Sequence, residues 1–186
     1  MKKLIALIAG CLLVTGLSAQ TITKGTIFVS PTLTNLSFNS FTISSNGEKE
    51  SFSRFGLQAT GGYAIMDDLA IVGGLGFQSG SYDGSGVSVF DIHAGARYYV
   101  IPNLYAGADL LFGTLSLNNK TGKGSSGSMS GNTISVELNA GYSYFLADRI
   151  AVEPSISYTL GLSTKFEDQP FGLSALTLNI GFLFLL

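Results

Sequence analysis

From Lys24 to Leu186 the chain alternates polar and apolar residues in eight successive segments, and every charged residue inside those segments falls on one face. The other face carries none. A strand places successive side chains on opposite faces, so this period-two pattern describes a sheet with one apolar and one polar side. Strands that are charged within and apolar without are stable where hydrocarbon wets the outside, which points to a closed, membrane-spanning antiparallel barrel.

The start of the chain agrees. Met1, Lys2 and Lys3 form a short basic beginning, an apolar run follows from Leu4 to Gly16, and Leu17-Ser18-Ala19 precedes Gln20. This is the pattern of a secretory leader, too short to be a spanning helix. The expected organisation is a leader over residues 1–19 and one barrel domain over residues 20–186. Ile8-Ala9-Gly10-Cys11 also matches a lipoprotein cleavage box that would leave a lipidated Cys11, but few apolar residues precede that cut. Removing 19 residues from 186 leaves 167 and no cysteine. Such a chain depends on ladder hydrogen bonds and packing rather than disulfides. With Lys2 and Lys3 gone, eight basic and twelve acidic residues remain, a net charge near −4 that argues against nucleic acid as a partner.

The segments run at about 24–36, 52–65, 69–78, 87–100, 104–116, 132–146, 149–162 and 173–186. The fourth shows the pattern plainly: Phe90, Ile92, Ala94, Ala96, Tyr98 and Val100 alternate with Asp91, His93, Gly95, Arg97 and Tyr99. Short turns are expected at Met66-Asp67-Asp68, Pro102-Asn103 and Ala147-Asp148. Longer polar connections are expected around Asn46-Gly47, around Tyr82-Asp83, from Asn118 to Gly131, and through Lys165, Glu167 and Asp168. Long and short connections therefore alternate, as in outer-membrane barrels. The fold class is all-β: an eight-stranded antiparallel up-and-down transmembrane barrel. Pro31 and Pro154 fall at outward strand positions, where each deletes a ladder donor, and a local bulge is the expected relief.

The ionisable interior set comprises Arg54, Asp91, His93, Arg97, Asp109, Glu137 and Glu153. A soluble sandwich would reverse the faces and bury the hydroxyls of Tyr98, Tyr142 and Tyr144. Arg97, Asp109 and Glu153 are expected to form one ion-pair tier, and Arg54, Asp91 and Glu137 a second. Tyr63, Tyr98, Tyr142, Tyr144, Phe182 and Phe184 point outward near one end, as an interfacial girdle does. Eight strands enclose a lumen that side chains fill, so an open diffusion channel is not expected.

Other chemistry is weakly signalled. Gly122-Lys123-Gly124-Ser125-Ser126-Gly127 fits a dinucleotide-loop pattern, but no helix follows it. His93 beside Asp91 has the makings of a general base, yet the residue two positions on is Gly95 rather than a nucleophile. Glu48, Glu50, Asp83, Glu167 and Asp168 are acidic loop residues of the type that bind divalent cations, and more commonly are just solvated. Neither a catalytic residue, a cofactor nor a metal is assigned.

The ending Asn179-Ile180-Gly181-Phe182-Leu183-Phe184-Leu185-Leu186 resembles the assembly signal of outer-membrane proteins, with Asn179, Gly181, Phe184 and Leu186 at its characteristic spacings. The hairpin from Leu57 to Phe77, with Gly62-Tyr63 before its turn and Asp68-Leu69-Ala70 after it, is similar to those of small barrels of the OmpX and OmpA type. The resemblance implies an outer-membrane location, recognition by the barrel-insertion machinery, and contact with outer-membrane lipid and lipopolysaccharide. A monomer with a structural or surface-interaction role is expected, its four long loops available to a surface ligand. A lipid-modifying enzyme and a narrow ion-conducting pore are the alternatives.

Overall fold

A computed structural model describes residues 22–34, 40–45, 48–50, 54–82, 85–121, 125–166, 169–170 and 172–186. The expected leader, with Cys11, lies outside the described residues, as do Asn46-Gly47 and Asp83. The strands are β1 (Ile27–Thr34), β2 (Ser40–Ser45), β3 (Glu48–Glu50), β4 (Arg54–Met66), β5 (Leu69–Tyr82), β6 (Ser85–Ile101), β7 (Leu104–Thr121), β8 (Ser125–Tyr142), β9 (Tyr144–Ala147), β10 (Ile150–Phe166), β11 (Gln169–Pro170) and β12 (Gly172–Leu185). Eight of them, β1, β4 to β8, β10 and β12, form the wall. Each pairs antiparallel with its sequence neighbours, and β12 pairs with both β10 and β1, so the sheet closes on itself. β9 continues β8 along β10, whereas β2, β3 and β11 add short pairs at the end with the long connections.

Alternation sets which face each residue takes. On β6, Asp91, His93, Arg97 and Tyr99 are buried while Phe90, Ile92, Tyr98 and Val100 are about half exposed. The same division holds on β12, where Thr177, Asn179 and Leu183 face inward and Leu178, Ile180 and Phe182 outward.

The short turns close one end. Asp68 and Asn103 adopt left-handed backbone at φ 64° and 73°, a conformation that Asp and Asn tolerate better than most residues. The carbonyl of Asp68 accepts from the Tyr99 amide at 2.8 Å, and that of Asn103 from the Ser143 amide at 2.7 Å. Ahead of β1, Ile22 is drawn under the barrel, its carbonyl accepting from the Asp68 amide at 2.9 Å. Ile22, Phe28, Tyr99, Tyr105, Phe145 and Leu183, with Ala64, Ala70 and Ala151, make the buried apolar cluster. This end of the lumen is thus stoppered by hydrocarbon.

Three expectations about the backbone are corrected. The first strand begins at Ile27, not Lys24, because Lys24 and Gly25 form a turn with Gly25 at φ 92°. The stretch Asn118 to Gly131 is not one long loop: β7 and β8 pair through it as far as Thr121 opposite Ser125. Beyond an apolar layer both faces of a hairpin meet water, so strand and loop share a polar composition and alternation cannot tell them apart. β5 likewise runs past Gln78 to Tyr82.

The third concerns the prolines, which produce no bulge. The Leu186 amide donates to the Ile27 carbonyl at 2.9 Å, which phases the β1–β12 ladder so that its hydrogen-bonded pairs fall at Ile27–Leu186, Val29–Phe184 and Pro31–Phe182. Pairing is lost at Ser30 and Pro31 and resumes in the same register at Thr32–Gly181. Pro154 interrupts in the same way: β10 pairs with β9 up to Val152–Tyr144 and with β8 from Ser155–Gly141. The strand closure on both sides fixes the register, so each proline deletes one bond and shifts nothing.

Candidate functional site

The lumen can hold long polar side chains because glycines stand opposite them. Gly76 pairs with Asp91, and a Cβ on it would lie 2.6 Å from both carboxylate oxygens. Gly74 pairs with His93 and would bring a Cβ within 2.8 Å of Nε2. The carboxylate of Asp109 lies across Gly95, the amide of Asn139 across Gly107, and the ring of Tyr105 across Gly141. Inward glycine is therefore the space into which its cross-strand partner folds. The outward glycines differ: a Cβ on Gly61 or Gly73 would meet nothing closer than 3.5 Å.

Near the stoppered end, Glu153 gathers four contacts from three donor atoms. Arg97 Nη1 lies 3.2 Å from both of its oxygens, Ser30 Oγ donates to Oε2 at 3.1 Å, and Ser143 Oγ donates to Oε1 at 2.5 Å. The Arg97 guanidinium is 3.9 Å from the Tyr105 ring centroid and 5.3 Å from that of Phe28. A buried ion pair is tolerable when its remaining polar atoms are satisfied in this way. Ser30, Glu153 and Ser143 sit at the two interruptions caused by Pro31 and Pro154, so side chains tie β1, β6, β9–β10 together where the ladder does not.

The expected tier of Arg97, Asp109 and Glu153 is corrected in part. Arg97 stands opposite Gly107 and turns toward the stoppered end, over Tyr105, so Asp109 takes a different partner. Asn139 Nδ2 donates to Asp109 Oδ2 at 2.6 Å. Of the second expected tier, Arg54, Asp91 and Glu137, only the two carboxylates have described side chains. Glu137 accepts from Thr159 Oγ1 at 2.9 Å, and Asp91 lies 3.8 Å from His93 Nδ1. Arg54 has its backbone opposite Gly80 on β4–β5, and its side chain lies outside the described residues. Asp109, Glu137, His93, Asn139, Asn179 and Thr60 line a cavity of about 40 Å³ in mid-lumen.

His93 has acquired a hydroxyl neighbour that sequence spacing did not reveal: Thr60 Oγ1 on β4 stands 3.1 Å from Nε2, reached over Gly74 of the intervening β5. Thr60, His93 and Asp91 thus fall in the order of a nucleophile, base and orienting acid. Two facts oppose that chemistry. The Asp91–His93 separation is too long for a hydrogen bond, with Gln58 Nε2 3.3 Å from the same Nδ1, and the adjoining cavity is far smaller than an acyl substrate.

Spacing alone also missed Ser30, Ser143, Asn139 and Thr159. Their signal was their inward parity, which was legible, combined with cross-barrel distance, which was not. Ile22 left a fainter one, a lone apolar residue ahead of the first strand. On the outside, Tyr63, Tyr98, Phe182 and Phe184 are exposed near the short turns. Of the assembly-signal residues, Asn179 and Gly181 face inward, Phe184 and Leu186 are exposed, and Asn179 Nδ2 donates to Ser157 Oγ at 3.3 Å.

Comparison with solved structures finds Neisserial surface protein A at 16% identity and TM-score 0.65, over 85% of this chain and 96% of that one. Ail, the attachment invasion locus protein of Yersinia pestis, matches at 15% identity and TM-score 0.57, over 87% of this chain and 100% of that one. At such identities the likeness is one of fold. No curated protein matches by sequence. The family described as outer membrane protein beta-barrel domain matches residues 9–184, nearly the whole chain. With a closed eight-stranded wall, an apolar exterior and a polar lumen, the chain belongs to the outer membrane protein beta-barrel domain family and is a protein of the bacterial outer membrane.

Proposed function

We propose that this barrel is a rigid post for surface interaction, holding its extracellular connections for adhesion, recognition or envelope integrity. The observation that carries this reading is the length of the wall. β6, β7, β8 and β10 have 17, 18, 18 and 17 residues. Crossing a membrane takes about 9–11. These four strands are neighbours in the sheet. They carry roughly 20 Å of extra strand beyond the span at about 3.3 Å per residue. Beside them β2 continues along β12 above β1, and β3 and β11 add further pairs at the same end. The wall therefore rises well beyond the membrane span, a shape suited to presenting a surface.

The stoppered periplasmic end and the Arg97–Glu153 pair weigh against a pore, and the small cavity beside His93 against an enzyme. Neisserial surface protein A and Ail are surface and attachment proteins by name, and Ail has been solved with a heparin analogue. In the present chain Glu48, Glu50, Asp83, Glu167 and Asp168 outnumber Lys49, Lys120, Lys123 and Lys165 in the long connections, a balance that favours a neutral or cationic ligand over a polyanion. The test compares cells displaying the intact protein with cells whose residues 118–131 are replaced by a short turn. Loss of cell attachment with an intact barrel supports the proposal. Stepwise conductance in planar bilayers would move the assignment to a pore, and a changed lipid A mass on expression to an enzyme.

A further inference from the structure

Outward side chains of the wall stand in rows that cross the strands, and one valley between two rows is open. Pro31 and Ala59 are partners in the first row, while the second runs from Leu57 through Phe77 to Phe90. Thr32 and Gln58, partners on the residues between, give the valley its floor. A proline ring and a methyl group are too short to lean across it. What remains is a trough of about 440 Å³ with an almost wholly apolar lining, closed at its β12 end by Phe182.

Depth and shape narrow the choice of occupant. Ala59 lies four residues along β4 from Tyr63, which is exposed near the short turns, a distance of about 13 Å along the strand. The apolar band of such barrels is about 25 Å tall, so the trough opens into hydrocarbon. From Phe182 on β12 to Phe90 on β6 it crosses β1, β4 and β5, and four inter-strand spacings make it roughly 19 Å long. Its volume spread over that length leaves a section of roughly 20 Å², the width of one hydrocarbon chain. Five of the eight wall strands take part, so the trough bends round the cylinder. A second barrel, rigid and convex, touches a cylinder along a line and cannot follow that bend. A flexible chain can.

We infer that this trough is a seat for a single unbranched acyl chain of a membrane lipid, which stays there longer than the chains lying against the rest of the wall. Between lipid tails no hydrophobic gain drives association, and close packing takes its place. Left unfilled, the trough would forfeit dispersion contacts along its whole length, which a chain laid in it recovers. The inference rests on the membrane location and is independent of what the extracellular connections bind.

The test refolds the full-length barrel into phosphatidylcholine vesicles containing a phosphatidylcholine with a diazirine in one acyl chain, and maps the adducts formed on illumination by mass spectrometry. Adducts on residues 57–59 and 75–77 are expected to exceed those on outward residues 138–140 at least threefold. Ala59→Phe, which fills the trough, brings them down to the level of 138–140, and Ala140→Phe on exposed β8 leaves them unchanged. If Ala59→Phe does not fold, the wild-type map decides. Even labelling around the wild-type wall overturns the inference, as does equal labelling of 57–59 and 75–77 in wild type and Ala59→Phe. A wild type that sediments as a dimer in detergent, and as a monomer once Ala59→Phe is introduced, would assign the trough to a second copy and overturn it too. Absence of adducts anywhere would contradict the membrane location itself.

Discussion

Arg97 on β6 and Glu153 on β10 meet across the lumen, with Nη1 3.2 Å from each carboxylate oxygen, although Asp109 sits on the strand next to Arg97. The choice follows from stacking: Tyr105 and Phe28 offer ring faces toward the end with the short turns and Glu153 waits there with two serine donors. Removing one partner leaves a buried charge alone. Arg97→Ala is expected to cost about 3–5 kcal/mol of unfolding free energy, against near zero for Arg149→Ala on the exposed turn. Arg97→Met combined with Glu153→Leu should cost less than either single change. Equal urea midpoints for Arg97→Ala and Arg149→Ala would contradict the account.

The glycines supply a paired prediction. Gly76→Ala forces a methyl against both oxygens of Asp91 and should destabilise by roughly 1–3 kcal/mol, as overpacking does. Gly73→Ala on the same strand points outward, where its methyl meets nothing closer than 3.5 Å, and should be neutral or stabilising by up to about 1 kcal/mol. Chemical unfolding in lipid vesicles separates them, and an equal loss for both would refute the division into inward and outward glycines.

Much of this was legible from the residues alone. Alternation along 87–100 placed Asp91, His93 and Arg97 on the inner face, and the turns at Asp67-Asp68 and Pro102-Asn103 stand where Asp, Asn and Pro predicted them. Alternation assigns a face and says nothing about which side chains meet across a barrel. That depends on register, and so Ser30, Ser143 and Thr60 emerged only with their strands in place. The same limit explains Asp109, a diagonal neighbour of Arg97 on the next strand that bonds to Asn139 instead. Polar composition hid the upper parts of β7 and β8 for the opposite reason: outside the hydrocarbon, a strand has no apolar face to show.

The proline interruption has a measurable sign. Pro31→Ala restores an amide facing the Phe182 carbonyl at membrane depth, a gain of about 1–3 kcal/mol for pairing a buried acceptor. The stiffness lost from the unfolded chain offsets about 0.4–1 kcal/mol of that. The net expectation is a higher unfolding midpoint, with slow hydrogen exchange at the new amide. A lower midpoint, or an amide that exchanges as fast as those of the turns, would show that the ladder is not waiting for a donor there.

The central claim is that hydrocarbon wets the uncharged face of a closed cylinder. Single spin labels placed in turn at positions 90 to 98 of β6, with the protein in lipid vesicles, test it most directly through collision rates with dissolved oxygen and with a water-soluble nickel chelate. The account predicts high oxygen and low nickel accessibility at 90, 92, 94, 96 and 98, and low accessibility to both at 91, 93, 95 and 97. High nickel accessibility at 92, 94 and 96 would mean that water covers that face, and would contradict it.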